Sequence, residues 1–218
     1  DNSSLNIGSL EQEVSEIVIS LELESELIDK VAENGLIITH HPVFIDAPKS
    51  LNTRKHPSNI IQKMMKKNIS HIAMHTNFDK THLNKYVFEN ILGFCIKKQD
   101  DFICYGDINM NIDDLFLLIK DRLKLDFKKI VRAKEKIRSI ALTTGSGGSF
   151  ISNMDVDCFL TSDIKYHDAM MAYENKVCLI DIGHFESEIF FCEIIDKELK
   201  KNDIKAIIHF SKNPFEYT

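Results

Sequence analysis

With 218 residues, 44% of them hydrophobic and 28% charged, the chain is long enough to bury a core without crosslinks and too apolar to be disordered or low-complexity. Its 33 acidic residues against 27 basic ones leave a net charge of −6, so the broad positive field that non-specific nucleic-acid binding needs is missing, and nucleic acid is a poor partner. Five scattered cysteines with no C-x-x-C pair exclude a disulfide framework and a zinc ribbon and suit a reducing cytoplasm, and no apolar run nears the roughly 18 residues of a membrane helix.

In chain order, the β-branched run Ile17 to Leu21 and the aliphatic run Leu36 to Thr39, which follows Asn34-Gly35, read as buried strands. Glu24 to Ala32 makes a short helix between them. After Pro57 the apolar positions Ile60, Ile61, Met64 and Met65 recur at helical spacing until Asn68, and Ile69 to Met74 resumes as strand. Strand, helix, strand, helix, strand is the order that crossover units use to build a mainly parallel sheet. A helix over Asn84 to Leu92 closes this half at Gly93.

Residues 97 to 110 carry charge and little periodicity, and they mark a linker between two α/β halves, 1–98 and 99–218. Beyond it come a helix from Ile112 to Leu123, a strand from Ile137 to Leu142, and a glycine-rich turn at 143 to 148. A strand over Asp157 to Thr161, a helix over Ile164 to Glu174 and a strand over Val177 to Ile182 follow. One long helix, His184 to Lys200, and a strand from Ile204 to Phe210 end the chain, and that strand can return to the first half. The fold class is α/β, two linked subdomains with mainly parallel or mixed sheets.

Three clusters carry chemistry. His40-His41-Pro42 follows a strand, at the carboxyl edge where open parallel sheets bind ligands, and adjacent residues of an extended segment point to opposite sides. Two imidazoles can therefore serve two centres. His75-Thr76-Asn77-Phe78-Asp79 also follows a strand, and its aspartate supplies a charged oxygen able to bridge two cations. His184 and Glu188, in Gly183-His184-Phe185-Glu186-Ser187-Glu188, are four apart and share a helical face. Read singly, these are a polar turn, a helix N-cap and a favourable carboxylate at a helix start. Read together, His40, His41, Asp79, His184 and Glu188 give three nitrogens and two carboxylates, which suits two divalent ions of zinc, iron or manganese. Lys165 and His167, in Asp163-Ile164-Lys165-Tyr166-His167, offer a phosphate contact and a proton shuttle, or else a polar N-cap. The Gly145, Gly147 and Gly148 loop lacks the Gly-Lys-Ser/Thr of a phosphate-binding P-loop and reads as a tight turn.

These blocks resemble the NIF-three-like proteins, known as GTP cyclohydrolase 1 type 2 or its homologues. Asp1-Asn2-Ser3-Ser4-Leu5-Asn6-Ile7-Gly8 is similar to the family's D-N-x-x-L-x-x-G, Ile37 to Pro42 to its I-T-H-H-P, and His75 to Asp79 to its H-T-N-x-D. Ser162 to His167 resembles G-D-I-K-Y-H, with serine in place of the glycine, and Gly183 to Glu188 resembles G-H-x-x-x-E. The resemblance implies paired metal ions on His40, His41, Asp79, His184 and Glu188 in a cleft between two α/β halves, with His75 and His167 lining the cavity. It also implies a toroidal homohexamer and a nucleotide substrate: GTP, opened by hydrolysis at C8 of the purine with release of formate. In that chemistry His75, His167 and Glu186 are the proton-relay candidates and Lys165 the phosphate contact. The alternatives are hydrolysis of another nucleotide or phosphorylated substrate, and a metal-binding or regulatory scaffold without turnover.

Overall fold

The structure, a computed structural model, describes residues 2–217, so Asp1 of the D-N block lies outside the described residues. The chain forms two compact units, one made of Asp1–Phe78 and Phe191–Lys212, the other of Asp79–Phe190 and Asn213–Thr218. Each is an α/β unit built on one mixed sheet. No helix among the described residues is long and apolar enough to cross a membrane.

The first unit holds strands β1 (Leu5–Ile7), β2 (Ile17–Ser20), β3 (Leu36–Thr39), β4 (Ser70–Ala73) and β11 (Ile207–Ile208), ordered β1-β4-β3-β2-β11. β2, β3, β4 and β11 run parallel, whereas β1 pairs antiparallel with β4. β2 and β3 are covered on both faces, which is why they read as unbroken aliphatic runs rather than as alternating ones. Helix Ser58–Lys66 buries Ile60, Ile61 and Met64 against Val18, Ile28 and Ile37, and Asn68 just beyond it takes the left-handed conformation at φ 52°. Lys67 reaches back to the carbonyls of Ile28 and Asp29, at 2.9 and 3.2 Å, and so caps the end of helix Ser25–Lys30.

Two polar side chains of β4, Ser70 and His71, are buried, and the imidazole has the larger consequence. His71 is fully buried and its Nε2 lies 2.7 Å from Thr39 Oγ1. The single proton of Thr39 goes to the His41 carbonyl 2.5 Å away, so the hydroxyl accepts and His71 Nε2 carries the ring proton. Nδ1 is left as a buried lone pair with no hydrogen-bond partner among the described residues. Burial pulls the imidazole pKa down to about 3, from an ordinary value of 6.5. The folded state therefore prefers the neutral ring, and its contribution to stability is complete above pH 6.5 and lost as pH falls from there toward 3. At about 1.4 kcal/mol per pH unit, going from pH 6.5 to 4.5 removes about 2 to 3 kcal/mol. His71→Gln keeps an N–H for Thr39 but does not titrate. Urea midpoints of wild type and variant should diverge at neutral pH and converge toward pH 4.5; parallel curves would refute the assignment.

The second unit holds β5 (Lys98–Asp100), β6 (Ile103–Asn111), β7 (Ile130–Val131), β8 (Lys136–Ser146), β9 (Cys158–Ser162) and β10 (Cys178–Asp181), ordered β5-β6-β8-β9-β10-β7. β8, β9 and β10 run parallel and the remaining pairs antiparallel. Residues 97 to 110 are therefore not a linker. They form the β5–β6 hairpin, whose outer strand is fully exposed and hence carries the charge that hides its pairing. Helix Ile112–Leu123 buries Ile112, Leu115, Phe116, Ile119 and Leu123, as its periodicity requires, and stops at Lys124 in the left-handed conformation.

The unbroken helix expected over His184 to Lys200 is two helices. His184–Glu188 belongs to the second unit and Phe191–Lys200 to the first. Helical periodicity continues through Ile189 and Phe190, so the pattern gives no sign of the interruption. The helix expected over Asn84 to Leu92 is likewise irregular, with π-turns at Asp79–Leu83 and Val87–Ile91 around one α-turn at Asn84–Tyr86.

Candidate metal centre

Parallel register decides which side chains meet in each unit. In the first, Ser20 pairs with Thr39 and Thr39 with Ala73, so the segments leaving β2, β3 and β4 emerge together at one carboxyl edge. His40, His41 and His75 sit there, each offering a ring nitrogen within 4.8 Å of the others. Their ring centroids are 4.9 Å apart for His40 and His41, 5.2 Å for His40 and His75 and 5.5 Å for His41 and His75. His40 is fully buried, with the Phe191 ring 5.3 Å away and Phe78 at 6.5 Å.

The outer contacts of His40 and His41 fix the tautomers of those two rings. His40 Nδ1 lies 2.9 Å from the Met74 carbonyl and His41 Nδ1 2.6 Å from Glu22 Oε1. A carbonyl and a carboxylate only accept, so both Nδ1 atoms donate and Nε2 becomes the basic nitrogen in each ring. This is the orientation in which protein imidazoles serve as metal ligands, with a carboxylate or carbonyl behind them. Glu22 escapes the sequence reading. It stands as far beyond Ser20 as His41 stands beyond Thr39, and Ser20 and Thr39 are register partners, so strand pairing was the signal that could have found it.

In the second unit the same logic operates at the carboxyl edge of β8, β9 and β10, where Ser146 pairs with Ser162 and Thr161 with Asp181. His184 opens helix His184–Glu188, one residue after Gly183 at φ 73°. Its Nδ1 donates to Asp163 Oδ2 at 2.7 Å, and its Nε2 lies 3.1 Å from Glu188 Oε2, one helical turn on. Asp163 itself is in the left-handed conformation at φ 54°, a cost the fold bears at a position that orients an imidazole. The Glu188 carboxylate, followed by burial acting in the opposite sense and by Asp163, sets the balance that lifts the His184 pKa to about 9. His184 Nε2 and Glu188 Oε2 thus face each other across one helical turn.

Asp79 is half-buried as the first residue of a π-turn, a local widening that recurs at functional sites in helices. Lys165 and His167 are exposed at the start of helix Tyr166–Glu174, where the Lys165 N–H donates to Asp168. Glu186 accepts from Asn213 Nδ2 at 2.8 Å through Oε1, and its Oε2 packs where a side chain on Gly183 would have to go.

The profile of Duf34/NIF3 (NGG1p interacting factor 3) matches residues 1–214. A Campylobacter jejuni protein named GTP cyclohydrolase 1 type 2 homolog is 44% identical over 100% of this chain and 90% of its own length. A Helicobacter pylori protein named GTP cyclohydrolase 1 type 2 is 38% identical over 99% of this chain and 90% of its own. Among solved structures, a Staphylococcus aureus hypothetical protein, SA1388, superposes with a TM-score of 0.84 at 24% identity over 100% of this chain and 92% of its own. That last likeness concerns the fold.

Proposed function

The chain belongs to the Duf34/NIF3 family, and on that premise we propose that it is a dinuclear metal-dependent hydrolase that opens the purine ring of GTP and releases formate. The observation that supports the reading is the arrangement behind the imidazoles: His40, His41 and His184 each donate Nδ1–H to a fixed acceptor, which makes Nε2 the basic nitrogen of each ring. His40, His41, Asp79, His184 and Glu188 would hold the two cations. That donor set fits zinc, iron or manganese and is too rich in nitrogen for calcium or magnesium. When bound, the ions supply Lewis acidity and a water whose pKa falls toward about 7.

The chain's own groups do the rest. His75, beside His40 and His41, takes one proton from the attacking water and delivers it to N9 as the C8–N9 bond breaks, while the remaining proton, on the C8 hydroxyl, passes to N7 as the formamide carbonyl forms. A second hydrolysis of the resulting formamide releases formate. His167 and Glu186 are further relay groups, and Lys165 holds the triphosphate by its charge. The relatives' names supply the substrate, and the family resemblance supplies the homohexamer. Purified protein reconstituted with Zn²⁺ or Mn²⁺ should release one formate per GTP, and Asp79→Ala should lower the rate at least about 100-fold. Cation binding without any formate from GTP would overturn the GTP reading in favour of hydrolysis of another nucleotide or phosphorylated substrate or of a metal-binding scaffold.

A further inference from the structure

The glycine-rich turn, set aside as a plain turn in the sequence, abuts both donors of the second unit. β8 slips register against β9 between Leu142 and Ser146, and inside that bulge Gly145 is buried at φ 59°, a conformation that side-chain-bearing residues rarely adopt. A Cβ on Gly145 would lie 2.2 Å from Glu188 Oε1 and 3.5 Å from His184 Nε2. The bare Cα is thus the wall against which the Glu188 carboxylate rests.

That wall is fixed at both of its polar ends. The Gly145 carbonyl accepts from Ser162 Oγ at 2.6 Å and from Thr161 Oγ1 at 3.2 Å, which uses both of its lone pairs. Thr161 Oγ1 in turn accepts from the Gly147 N–H at 2.8 Å. On the other side the Gly145 N–H donates to Ser187 Oγ at 3.2 Å, and Ser187 donates to the His184 carbonyl at 3.0 Å. Thr161, Ser162 and Ser187 are all buried to 1% exposure or less. The bulge is therefore bonded to the one helical turn that carries His184 and Glu188, through groups with no water to compete for them.

We propose that Gly145 is a positioning residue for cation binding. Clamped by Thr161, Ser162 and Ser187, it presses the Glu188 carboxylate into the orientation that faces His184 Nε2. This rests on the reading of His184 and Glu188 as metal ligands. It also gives a role to the serine that replaces the family's usual glycine at 162, since that hydroxyl makes the shorter of the two bonds to the Gly145 carbonyl.

The test is Zn²⁺ affinity, measured on the full chain by competition with a chromophoric chelator. Gly145→Ala should weaken binding 10- to 100-fold, the usual cost of losing an outer support of a metal ligand. Thr161→Val, which keeps the shape and removes the hydroxyl, should weaken binding as well, and Thr161→Ser, which keeps the hydroxyl, should restore it. A merely structural role would not produce that rescue. His184→Ala is the control for the underlying reading. If wild type and His184→Ala bind Zn²⁺ alike, the ligand assignment fails and the inference with it. If His184→Ala loses binding while Gly145→Ala binds like wild type, only the inference is overturned. Should Gly145→Ala not fold, the Thr161 pair decides: equal affinity in the valine and serine variants overturns the proposal.

Discussion

Replacing Glu188 by glutamine should lower Zn²⁺ affinity by more than about 100-fold, beyond the range seen when only an outer support is lost. The side chain is 3% exposed, and one oxygen faces His184 while the other rests on Gly145, so the amide occupies the same space. What changes is charge. Glutamine presents a neutral oxygen or an N–H where a cation needs a carboxylate, and an N–H turned toward the ion is repelled by it. Circular dichroism should be unchanged, because no core volume is removed. Wild-type affinity in Glu188→Gln would remove this residue from the ligand set.

The second large effect concerns stability. Phe191 is fully buried, and its ring lies 4.9 Å from that of Phe78 in an edge-to-face contact and 5.3 Å from that of His40. Phe191→Ala removes a whole ring from the core of the first unit and should cost about 3 to 5 kcal/mol in urea denaturation, against less than about 1.5 kcal/mol for Phe191→Leu. It should also weaken Zn²⁺ binding, because the His40 ring loses the aromatic wall that limits its rotation. A loss under about 1 kcal/mol for Phe191→Ala would mean that the ring contributes little packing.

The elements that sequence made legible are those whose burial matches their period. β3 matches its expected span because Leu36 to Thr39 is a short aliphatic run bounded by Asn34-Gly35 and by the histidines. Helix Ile112–Leu123 is similarly plain, since five apolar residues fall on its core face. β1, β5 and β7 were not legible, because strands of two or three residues at the sheet edges carry no alternation, and β5 is wholly charged or polar. The break at Ile189 and Phe190 was hidden for the converse reason. Both residues continue the helical pattern, although the chain there passes from one unit to the other.

The candidate donors were legible because His40, His75 and His184 stand within three residues of an apolar strand's end, where a parallel sheet collects its chemistry, and Asp79 and Glu188 follow four residues after two of them. Their supports were not. Glu22, Asp163 and the Met74 carbonyl are chosen by register and by one left-handed backbone position, and neither property is written in residue type. Gly145 shows the same limit. Its neighbours in sequence suggest a turn, whereas its neighbours in space are the carboxylate and imidazole of a helix 39 and more residues further on.

The most direct test is cation stoichiometry. Protein stripped with chelator, equilibrated with Zn²⁺ and freed of excess should carry two ions per chain by elemental analysis, and a variant with His40, Asp79 and Glu188 all changed to alanine should carry none. Two ions retained in that variant, or less than one ion in the wild type, would contradict the assignment of these side chains as a paired-metal site.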